Sequence, residues 1–387
     1  MQLTGTPFLI FTIVLFLVSI GAAVLQWTKA AAARPAMEAG RRRGRNRRSG
    51  PGPLRFAGYL TTILFSQATA VLLVFVIVNN ANLMYDSWGD FLGTSTHVRA
   101  VPPPPADKGL ATAPARAKVI QSFTPMDGSP VPKDVRTTDL KGQLSGVDGE
   151  VLVWTPPQYD DPAYKDKTFP VVELLAGYPG SSSTWFGTMF ASKQLAPLMS
   201  AGKVTPFILV SPRVTLLANN DTGCADIPGK VNADTWLSRD VPQMVMDNFR
   251  ADPSSDRWAV AGYSAGAHCS VKLALTHPNR YRAAISMSGY NDPNGETSSL
   301  TAKDPHLREV YNPLYILAHA DTPPNVALYV TGKRGDGLED AEALQKAAKA
   351  PTTVTPIEST GPHATVTWKP MVTAAFTWLT GIIPAQH

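Results

Sequence analysis

The residue with the clearest capacity for chemistry is Ser264, because its neighbours match a turn that presents a nucleophilic serine. The segment Gly262–Gly266 reads Gly-Tyr-Ser-Ala-Gly, a G-x-S-x-G pattern. The apolar run Trp258–Ala261 before it predicts a buried strand, and the Ala- and Leu-rich stretch after it predicts a helix that ends near Thr276. Such a strand–turn–helix pushes the hydroxyl out of the sheet, and the glycines leave room for crowded backbones. We therefore predict that Ser264 is a nucleophile; the alternative is a glycine-rich turn with an ordinary serine.

A nucleophilic serine needs a base and an orienting acid, and in α/β-hydrolases these follow in the order Ser, acid, His. His363 follows the predicted strand Thr353–Ile357 and precedes a predicted helix, so we expect it to be the base. A surface-loop histidine is the alternative. Asp336 lies in a glycine-rich turn after the predicted strand Val326–Thr331 and is the favoured acid.

Three other carboxylates stay open as acids: Asp340, Glu339 and Glu342. They lie at the start of the helix that follows the turn, where the helix dipole stabilises negative charge without any catalytic role.

The developing oxyanion requires two N–H donors. One is expected from Ala265, the residue after the nucleophile, at a helix N-terminus. The other is expected from Tyr178, in the glycine-containing loop after the predicted strand Phe169–Leu175. A tight turn needed only for its geometry is the alternative for this loop.

Two apolar runs near the N-terminus, about 7–27 and 56–78, contain no charged residue and are each long enough to span a bilayer. A cleaved signal peptide is the alternative for the first run, but no basic segment precedes it. The arginine-rich loop Gly40–Gly50 between the runs carries the basicity behind the net charge of +5. The positive-inside rule keeps this loop in the cytoplasm, so both termini are expected outside. Its lack of aromatic residues argues against nucleic-acid binding.

The remaining chain divides into a linker, about 81–114, and a domain over 115–387. Tyr85, Trp88 and Phe91 suit either a membrane interface or a solvent-exposed turn. The proline run Val101–Pro105 predicts a stiff spacer that holds the domain off the bilayer.

Strands alternate with helices along this domain, which predicts an α/β fold with a mostly parallel sheet covered on both faces. Besides those already named, strands are expected at Lys118–Phe123, Glu150–Thr155, Pro206–Val210 and Ala283–Ser288, and helices at Ser183–Met199, Trp236–Arg250, Leu338–Lys349 and Thr365–Leu379.

The region from about Val151 to Leu379 resembles the esterase-D-type α/β-hydrolases, in particular the actinobacterial mycolyltransferase-like (antigen 85-like) branch. The features that carry the resemblance are LLAGYPG with Trp185 downstream, AGYSAG, HPNRYRAAISMSGY, GKRGDGLEDAEAL and the final Gly-Pro-His before a helix.

The resemblance implies that Ser264 is the nucleophile, Asp336 the acid and His363 the base. It also implies Tyr178 and Ala265 as the oxyanion donors. The oxyanion loop departs from the commoner His-Gly or Asp-Gly pattern. In mycolyltransferases the acid is a glutamate on the following helix, which keeps Glu339 and Glu342 open, and the substrate does not transfer by analogy.

The chain has only two cysteines, Cys224 and Cys269. Cys224 lies in a long insertion before the helix that leads to the strand–turn–helix of Ser264, and Cys269 lies five residues past Ser264. The even count and an oxidising compartment predict a disulfide. Two separately buried thiols are the alternative.

These features together predict a membrane-anchored, extracytoplasmic serine esterase or acyltransferase that acts on acyl esters, with lipid or cell-envelope esters as the substrate hypothesis. No metal, organic cofactor or nucleic-acid partner is expected. The alternative is a non-catalytic hydrolase fold that serves as a membrane-tethered binding or scaffold module.

Overall fold

The computed structural model describes residues 3–41, 53–94, 98–100, 118–126, 130–218 and 220–385. The chain divides into two compact units, Met1–Ala81 and Asn82–His387. Most of the basic loop and all of the proline spacer lie outside the described residues. The domain boundary near residue 115 lies there too and stays a prediction.

The first unit is built from two long helices, α1 (Thr6–Arg41) and α2 (Pro53–Asn82). The stretches Thr6–Lys29 and Phe56–Asn82 are long and apolar enough to cross a membrane, with mean hydropathies of 2.9 and 2.2. The hydroxyls of Ser19 and Thr69 lie 2.9 Å apart and share a hydrogen bond. Hydroxyl pairs of this kind hold helices together where the surroundings are apolar.

The strands of the second unit are short runs rich in β-branched and apolar residues. They are β1 (Val98–Ala100), β2 (Thr124–Pro125), β3 (Arg136–Lys141), β4 (Val147–Trp154), β5 (Val171–Leu175), β6 (Ile208–Pro212), β7 (Asp226–Ile227), β8 (Val231–Asn232), β9 (Trp258–Tyr263), β10 (Ala283–Met287), β11 (Ala327–Gly332) and β12 (Thr353–Glu358).

Within the described residues, ten of these strands form one sheet in the order β12-β11-β10-β9-β5-β6-β4-β3-β2, with β1 on β4. The strands from β12 to β6 run parallel, and β4, β3, β2 and β1 are antiparallel to their neighbours. The mostly parallel α/β fold that the sequence predicts is confirmed. Because the parallel strands end at one edge, the loops that follow β5, β9, β11 and β12 meet there.

The helices of this unit are mostly short and cover the sheet. They are α3 (Trp88–Leu92), α4 (Thr184–Gly187), α5 (Ala191–Ser200), α6 (Ala233–Thr235), α7 (Val241–Asn248), α8 (Ala265–Thr276), α9 (Leu300–Lys303), α10 (Pro305–Val310), α11 (Pro313–Ala318), α12 (Leu338–Ala347), α13 (Thr365–Trp368) and α14 (Val372–Ile382).

Two hydrophobic cores lie on the two faces of the sheet. On β5, Val171 and Leu175 face one core, while Val172 and Leu174 face the other. Every residue of β5 is buried, as expected of a central parallel strand. Between them, Glu173 accepts a hydrogen bond from the Tyr281 hydroxyl at 2.8 Å.

The expected strand at Lys118–Phe123 is wrong: these residues have no regular structure. The N–H groups of Val119 and Gln121 donate instead to the side chains of Asp247 and Asn248, each at 2.8 Å. Side-chain acceptors on α7 thus replace a neighbouring strand, and β3 was not predicted.

The expected helix Ser183–Met199 is interrupted, because Phe190 has a φ of 53° and separates α4 from α5. The helix expected at Trp236–Arg250 contains a π-helical turn at Trp236–Asp240 before α7. Helices α9 to α11 were not predicted from the sequence.

Candidate active site

Ser264 lies on the turn between β9 and α8 with φ 55° and ψ −126°, a backbone conformation that is strained for any residue but glycine. A Cβ at Gly262 would lie 1.9 Å from the Gly266 carbonyl oxygen. A Cβ at Gly266 would lie 2.4 Å from the Leu175 carbonyl oxygen. Both positions therefore admit only glycine, which explains why the G-x-S-x-G pattern has glycine at these two positions.

The loops after β11 and β12 bring two further side chains to Ser264. The Ser264 hydroxyl donates to Nε2 of His363 at 2.8 Å. The Nδ1–H of His363 donates to the Asp336 carboxylate at 2.7 Å. The side chains of His363 and Asp336 are 44% and 20% exposed, so the arrangement lies at an open surface. A serine hydroxyl, an imidazole and a carboxylate in this order can carry out acyl transfer.

The alternative acids are engaged elsewhere. Asp340 accepts the N–H of Asn291 at 2.9 Å, and burial raises the pKa of its carboxyl group. Glu339 accepts the N–H of Gly335 at 3.0 Å. Glu342 accepts from the Arg334 guanidinium at 2.8 Å. Asp336 is thus the carboxylate that lies beside His363.

Three hydrogen bonds to backbone carbonyls hold the loops after β11 and β12 in place. The N–H of Ser359 donates to the Gly332 carbonyl at 2.8 Å and continues the pairing of β11 with β12. The Lys333 ammonium donates to the Gly361 carbonyl at 2.9 Å, and the Thr367 hydroxyl donates to the Pro362 carbonyl at 2.7 Å. These hydrogen bonds fix the two loops at one edge of the sheet.

Trp368 supports the imidazole, a contact that sequence reasoning missed. Its ring stacks on Tyr263 at 4.8 Å and meets the His363 ring edge-on at 4.9 Å. Its indole N–H donates to the Ser288 hydroxyl at 3.0 Å. The only available signal was an aromatic residue one turn into the helix after the base.

The expected oxyanion loop lies against the nucleophile. A Cβ at Gly177 would lie 2.9 Å from the Ser264 Cβ, so glycine allows this approach. The Tyr263 hydroxyl hydrogen-bonds the backbone of Gly177, and burial raises the pKa of Tyr263. Ala265 begins α8, and Tyr178 follows Gly177 in the loop. Their roles as oxyanion donors stay predictions.

A cavity of about 190 Å³ opens onto these residues. We call the loops after β5, β9, β11 and β12 the catalytic edge. The cavity is lined by residues in or beside these loops together with two residues from the start of the second unit: Gly177, Tyr178, Pro179, Tyr263, Ser264, His363, Ala364, Thr365, Trp368, Asn82 and Met84. Asn82 and Met84 were not expected here, and nothing in their sequence context indicates it.

A second histidine, His268, lies one turn along α8 from Ser264 but is buried. Its Nδ1–H donates to the Tyr290 carbonyl at 2.9 Å, and the two rings stack at 4.7 Å. Burial lowers the pKa of His268 to about 4, so this ring is neutral and has a packing role.

A disulfide joins Cys224 and Cys269, as the sequence predicts, with Cα atoms 5.7 Å apart. The buried Lys272 ammonium reinforces it by donating to the Cys224 carbonyl and to the Asp234 carboxylate. The insertion is therefore fixed to α8, the helix that follows Ser264. Among the described residues, no group of three His, Cys, Asp or Glu side chains is arranged to hold a metal ion.

Comparison with known proteins gives concordant matches. The model of a family described as putative esterase matches residues 145–375. An uncharacterised protein of Corynebacterium glutamicum is 28% identical over 159 residues, which are 41% of this chain and 36% of that protein. The S-formylglutathione hydrolase of Bos taurus is 26% identical over 116 residues, which are 28% of this chain and 40% of that protein. The chain thus aligns with less than half the length of these curated relatives.

Among solved structures, the fluorophosphonate-binding serine hydrolase F of Staphylococcus aureus superposes with a TM-score of 0.52 at 18% identity. The match covers 63% of this chain and 97% of that chain. At this identity the likeness establishes the α/β-hydrolase fold.

Proposed function

Because the chain belongs to the esterase family of serine hydrolases, we propose that it is a membrane-anchored, extracytoplasmic serine esterase or acyltransferase. Its substrates are acyl esters. The observation that carries this proposal is the hydrogen-bonded series from the Ser264 hydroxyl through His363 to Asp336.

In the proposed reaction, Nε2 of His363 takes the hydroxyl proton as Ser264 Oγ attacks the ester carbonyl carbon. Asp336 holds the imidazole in the tautomer with a proton on Nδ1 and stabilises the imidazolium. The N–H groups of Ala265 and Tyr178 stabilise the oxyanion. His363 then protonates the leaving alcohol, and an acyl-enzyme ester remains on Ser264.

The second half of the reaction decides between the two activities. His363 removes a proton from water or from an acceptor alcohol, and the oxygen attacks the acyl-enzyme carbonyl. Water gives a carboxylic acid, and an alcohol gives a new ester. In both cases the Ser264 hydroxyl is restored.

Membrane anchoring is supported by the two long apolar stretches, Thr6–Lys29 and Phe56–Asn82. The arginine-rich loop between them favours a cytoplasmic location for that loop, with both termini and the hydrolase unit outside. The Cys224–Cys269 disulfide is consistent with an oxidising compartment. Anchoring also favours lipid or cell-envelope acyl esters as substrates.

The test uses the full-length chain in detergent micelles with a fluorophosphonate probe and p-nitrophenyl esters of increasing acyl length. Wild type is expected to label and to hydrolyse esters, and Ser264→Ala is expected to lose both. Ser254→Ala, at an exposed serine before β9, is the matched control and should keep both. A folded wild-type protein that neither labels nor hydrolyses any ester would instead favour a non-catalytic, tethered hydrolase fold.

A further inference from the structure

The last residue of the second candidate span, Asn82, and residues directly after it form part of the cavity at Ser264. Residues 82–94, here called the post-span segment, belong to the compact hydrolase unit. Asn82 and Met84 line the cavity that Ser264 and His363 also line. On its other side, Met84 lines a second cavity of about 90 Å³ together with Tyr85. Met84 and Pro179 line both cavities, so the segment contributes one of the two residues that the cavities share.

The start of the post-span segment is held in one conformation. Leu83 has a φ of 49°, which is unfavourable for a leucine and persists only when its surroundings fix it. The Leu83 side chain is buried, and its carbonyl accepts the Thr184 hydroxyl at 3.0 Å. A Cβ at Gly187 would lie 2.7 Å from Leu83 Cδ1, so the Leu83 side chain packs directly against this glycine. The turn that presents Met84 is therefore fixed by contacts to α4.

A buried ionic cluster fixes the next residues. The Arg213 guanidinium, after β6, donates to both Asp86 and Asp90, and the Ser181 hydroxyl also donates to Asp86. The side chains of Arg213 and Asp90 are only 6% and 3% exposed. Burial raises the pKa of Asp86 to about 6, so its carboxylate is mostly ionised at neutral pH. Removing one partner of a buried pair leaves an uncompensated charge, so this cluster is a strong positional constraint.

Helix α3, within the segment, is capped at both ends. The N–H of Asp90 donates to the Ser87 hydroxyl and the N–H of Ser87 donates to the Asp90 carboxylate, each at 3.1 Å, which is a capping box. Gly93 ends the helix with a φ of 71°. The segment is therefore a folded part of the hydrolase unit.

Asn82 also reaches the loop that carries the base. The Thr365 hydroxyl, two residues after His363, donates to the Asn82 side-chain oxygen at 3.1 Å. The segment thus lies on both the cavity and the catalytic edge.

We propose that the post-span segment is one wall of the acyl-binding site, with Met84 as a specificity-determining residue and Arg213 as the positioning residue that holds the wall. This inference rests on the proposed esterase or acyltransferase function. Met84, Pro179, Tyr263 and Trp368 all line the cavity, so its lining is largely apolar and suits the carbon chain of an acyl group. The unbranched methionine side chain adapts to such a chain. At about 190 Å³ the cavity is below the roughly 300–1,000 Å³ of drug-sized sites, so it holds a short chain or the ester end of a long one.

The experiment measures kcat/KM against acyl length for the full-length chain in detergent micelles. Met84→Ala enlarges the cavity and is expected to move the preferred ester at least two carbons longer. Met84→Phe fills the cavity and is expected to move it shorter. Ile120→Ala is the matched control, because Ile120 is 69% exposed and lies outside both the segment and the cavity lining, and its profile should match wild type. Superimposable profiles for wild type, Met84→Ala and Met84→Phe would overturn the proposal.

The role of Arg213 is tested by a split between kinetic constants. Arg213→Gln is expected to raise KM for the preferred ester at least tenfold, with a smaller change in kcat, and Arg213→Lys should recover part of the loss. A fall in kcat alone, with KM unchanged and no recovery by lysine, would contradict a positioning role.

A binding measurement separates failure of this inference from failure of the proposed function. The Ser264→Ala background allows binding to be measured without turnover, and in it we would titrate N-methyl amides of carboxylic acids of increasing acyl length as non-hydrolysable analogues of the esters. The Met84→Ala change should alter their affinities at least fivefold and in a length-dependent way. If the proteins with and without Met84→Ala bind every length equally well, the wall is rejected even if Ser264 proves to be an active nucleophile. A length-dependent difference between them would support the wall even if no ester is hydrolysed.

Discussion

The catalytic edge and the post-span segment lie on the same cavity but are held in place by different forces. The catalytic edge consists of the loops after β5, β9, β11 and β12, and main-chain contacts position it. For example, the N–H of Ser264 donates to the Met287 carbonyl at 2.9 Å. The post-span segment is positioned mainly by side chains, above all Arg213 with Asp86 and Asp90. Substitutions in the catalytic edge should therefore change the rate of the reaction, whereas substitutions in the post-span segment should change the shape of the cavity.

The largest expected effect is at the acid of the catalytic edge. Asp336→Asn should lower kcat by about ten thousandfold, because the amide favours the wrong imidazole tautomer. The measurement is steady-state hydrolysis of one soluble ester. Asp340→Asn is the matched control and should stay within a few fold, since its contact with Asn291 survives. If Asp340→Asn, Glu339→Gln or Glu342→Gln fell as far as Asp336→Asn, the acid would be misassigned.

The next effect tests how rigidly the main chain holds the edge. In Gly266→Ala, the new Cβ would meet the carbonyl oxygens of Leu175 and Ala176 at 2.4 and 2.5 Å. We expect a loss of about 1–3 kcal/mol in the free energy of unfolding from overpacking, together with loss of fluorophosphonate labelling. Gly381→Ala, in α14 with nothing within 4 Å of its Cβ, should be neutral or slightly stabilising. Full labelling by Gly266→Ala would show that the edge yields more easily than its contacts indicate.

A smaller effect on activity is expected where a covalent bond does the positioning. Replacing both Cys224 and Cys269 by serine should lower the free energy of unfolding by about 2–4 kcal/mol, because the bond closes a loop in the unfolded chain. Chemical denaturation measures this, with reductant-treated wild type as the control. The acyl-length profile should not change, because neither cysteine lines the cavity. A changed profile would extend the substrate wall to the insertion.

The last expected effect is on the pH dependence of stability, and it arises in the core beneath the catalytic edge. Burial raises the pKa of Glu173 to about 8 from an ordinary 4.5. Between those values the folded state binds more protons than the unfolded state, so stability falls as pH rises towards 8. Glu173→Gln should flatten this decline in denaturation curves taken from pH 6 to 9. The exposed Glu309→Gln should decline as wild type does, and an equally steep decline in Glu173→Gln would assign the pH dependence to another group.

The catalytic edge was largely predictable because its signals are local. Ser264, Asp336 and His363 each follow a predicted strand in the order typical of α/β-hydrolases, and the structure brings the three side chains together. The family resemblance inferred from these patterns is confirmed. The glycines at positions 262 and 266 are required by backbone approaches that any such elbow needs.

The post-span segment was not predictable in the same way, because its contacts are long-range. Asp86 and Arg213 are 127 residues apart in the chain, and no local pattern links them. From sequence, Tyr85, Trp88 and Phe91 suited a membrane interface or an exposed turn. In the structure the rings of Tyr85 and Phe91 meet edge-on at 5.3 Å within a segment that Arg213 fixes to the hydrolase unit. Aromatic composition alone does not distinguish these situations.

One consequence concerns how such a chain can be recombined. The polypeptide that ends α2 at Asn82 passes without a linker into residues that line the active-site cavity. A chimera joined before residue 82 would exchange the two apolar helices and keep the cavity intact. A chimera joined after residue 94 would exchange these helices and the proposed cavity wall together. The choice of junction residue therefore decides whether replacing the helices also changes which molecules fit the cavity.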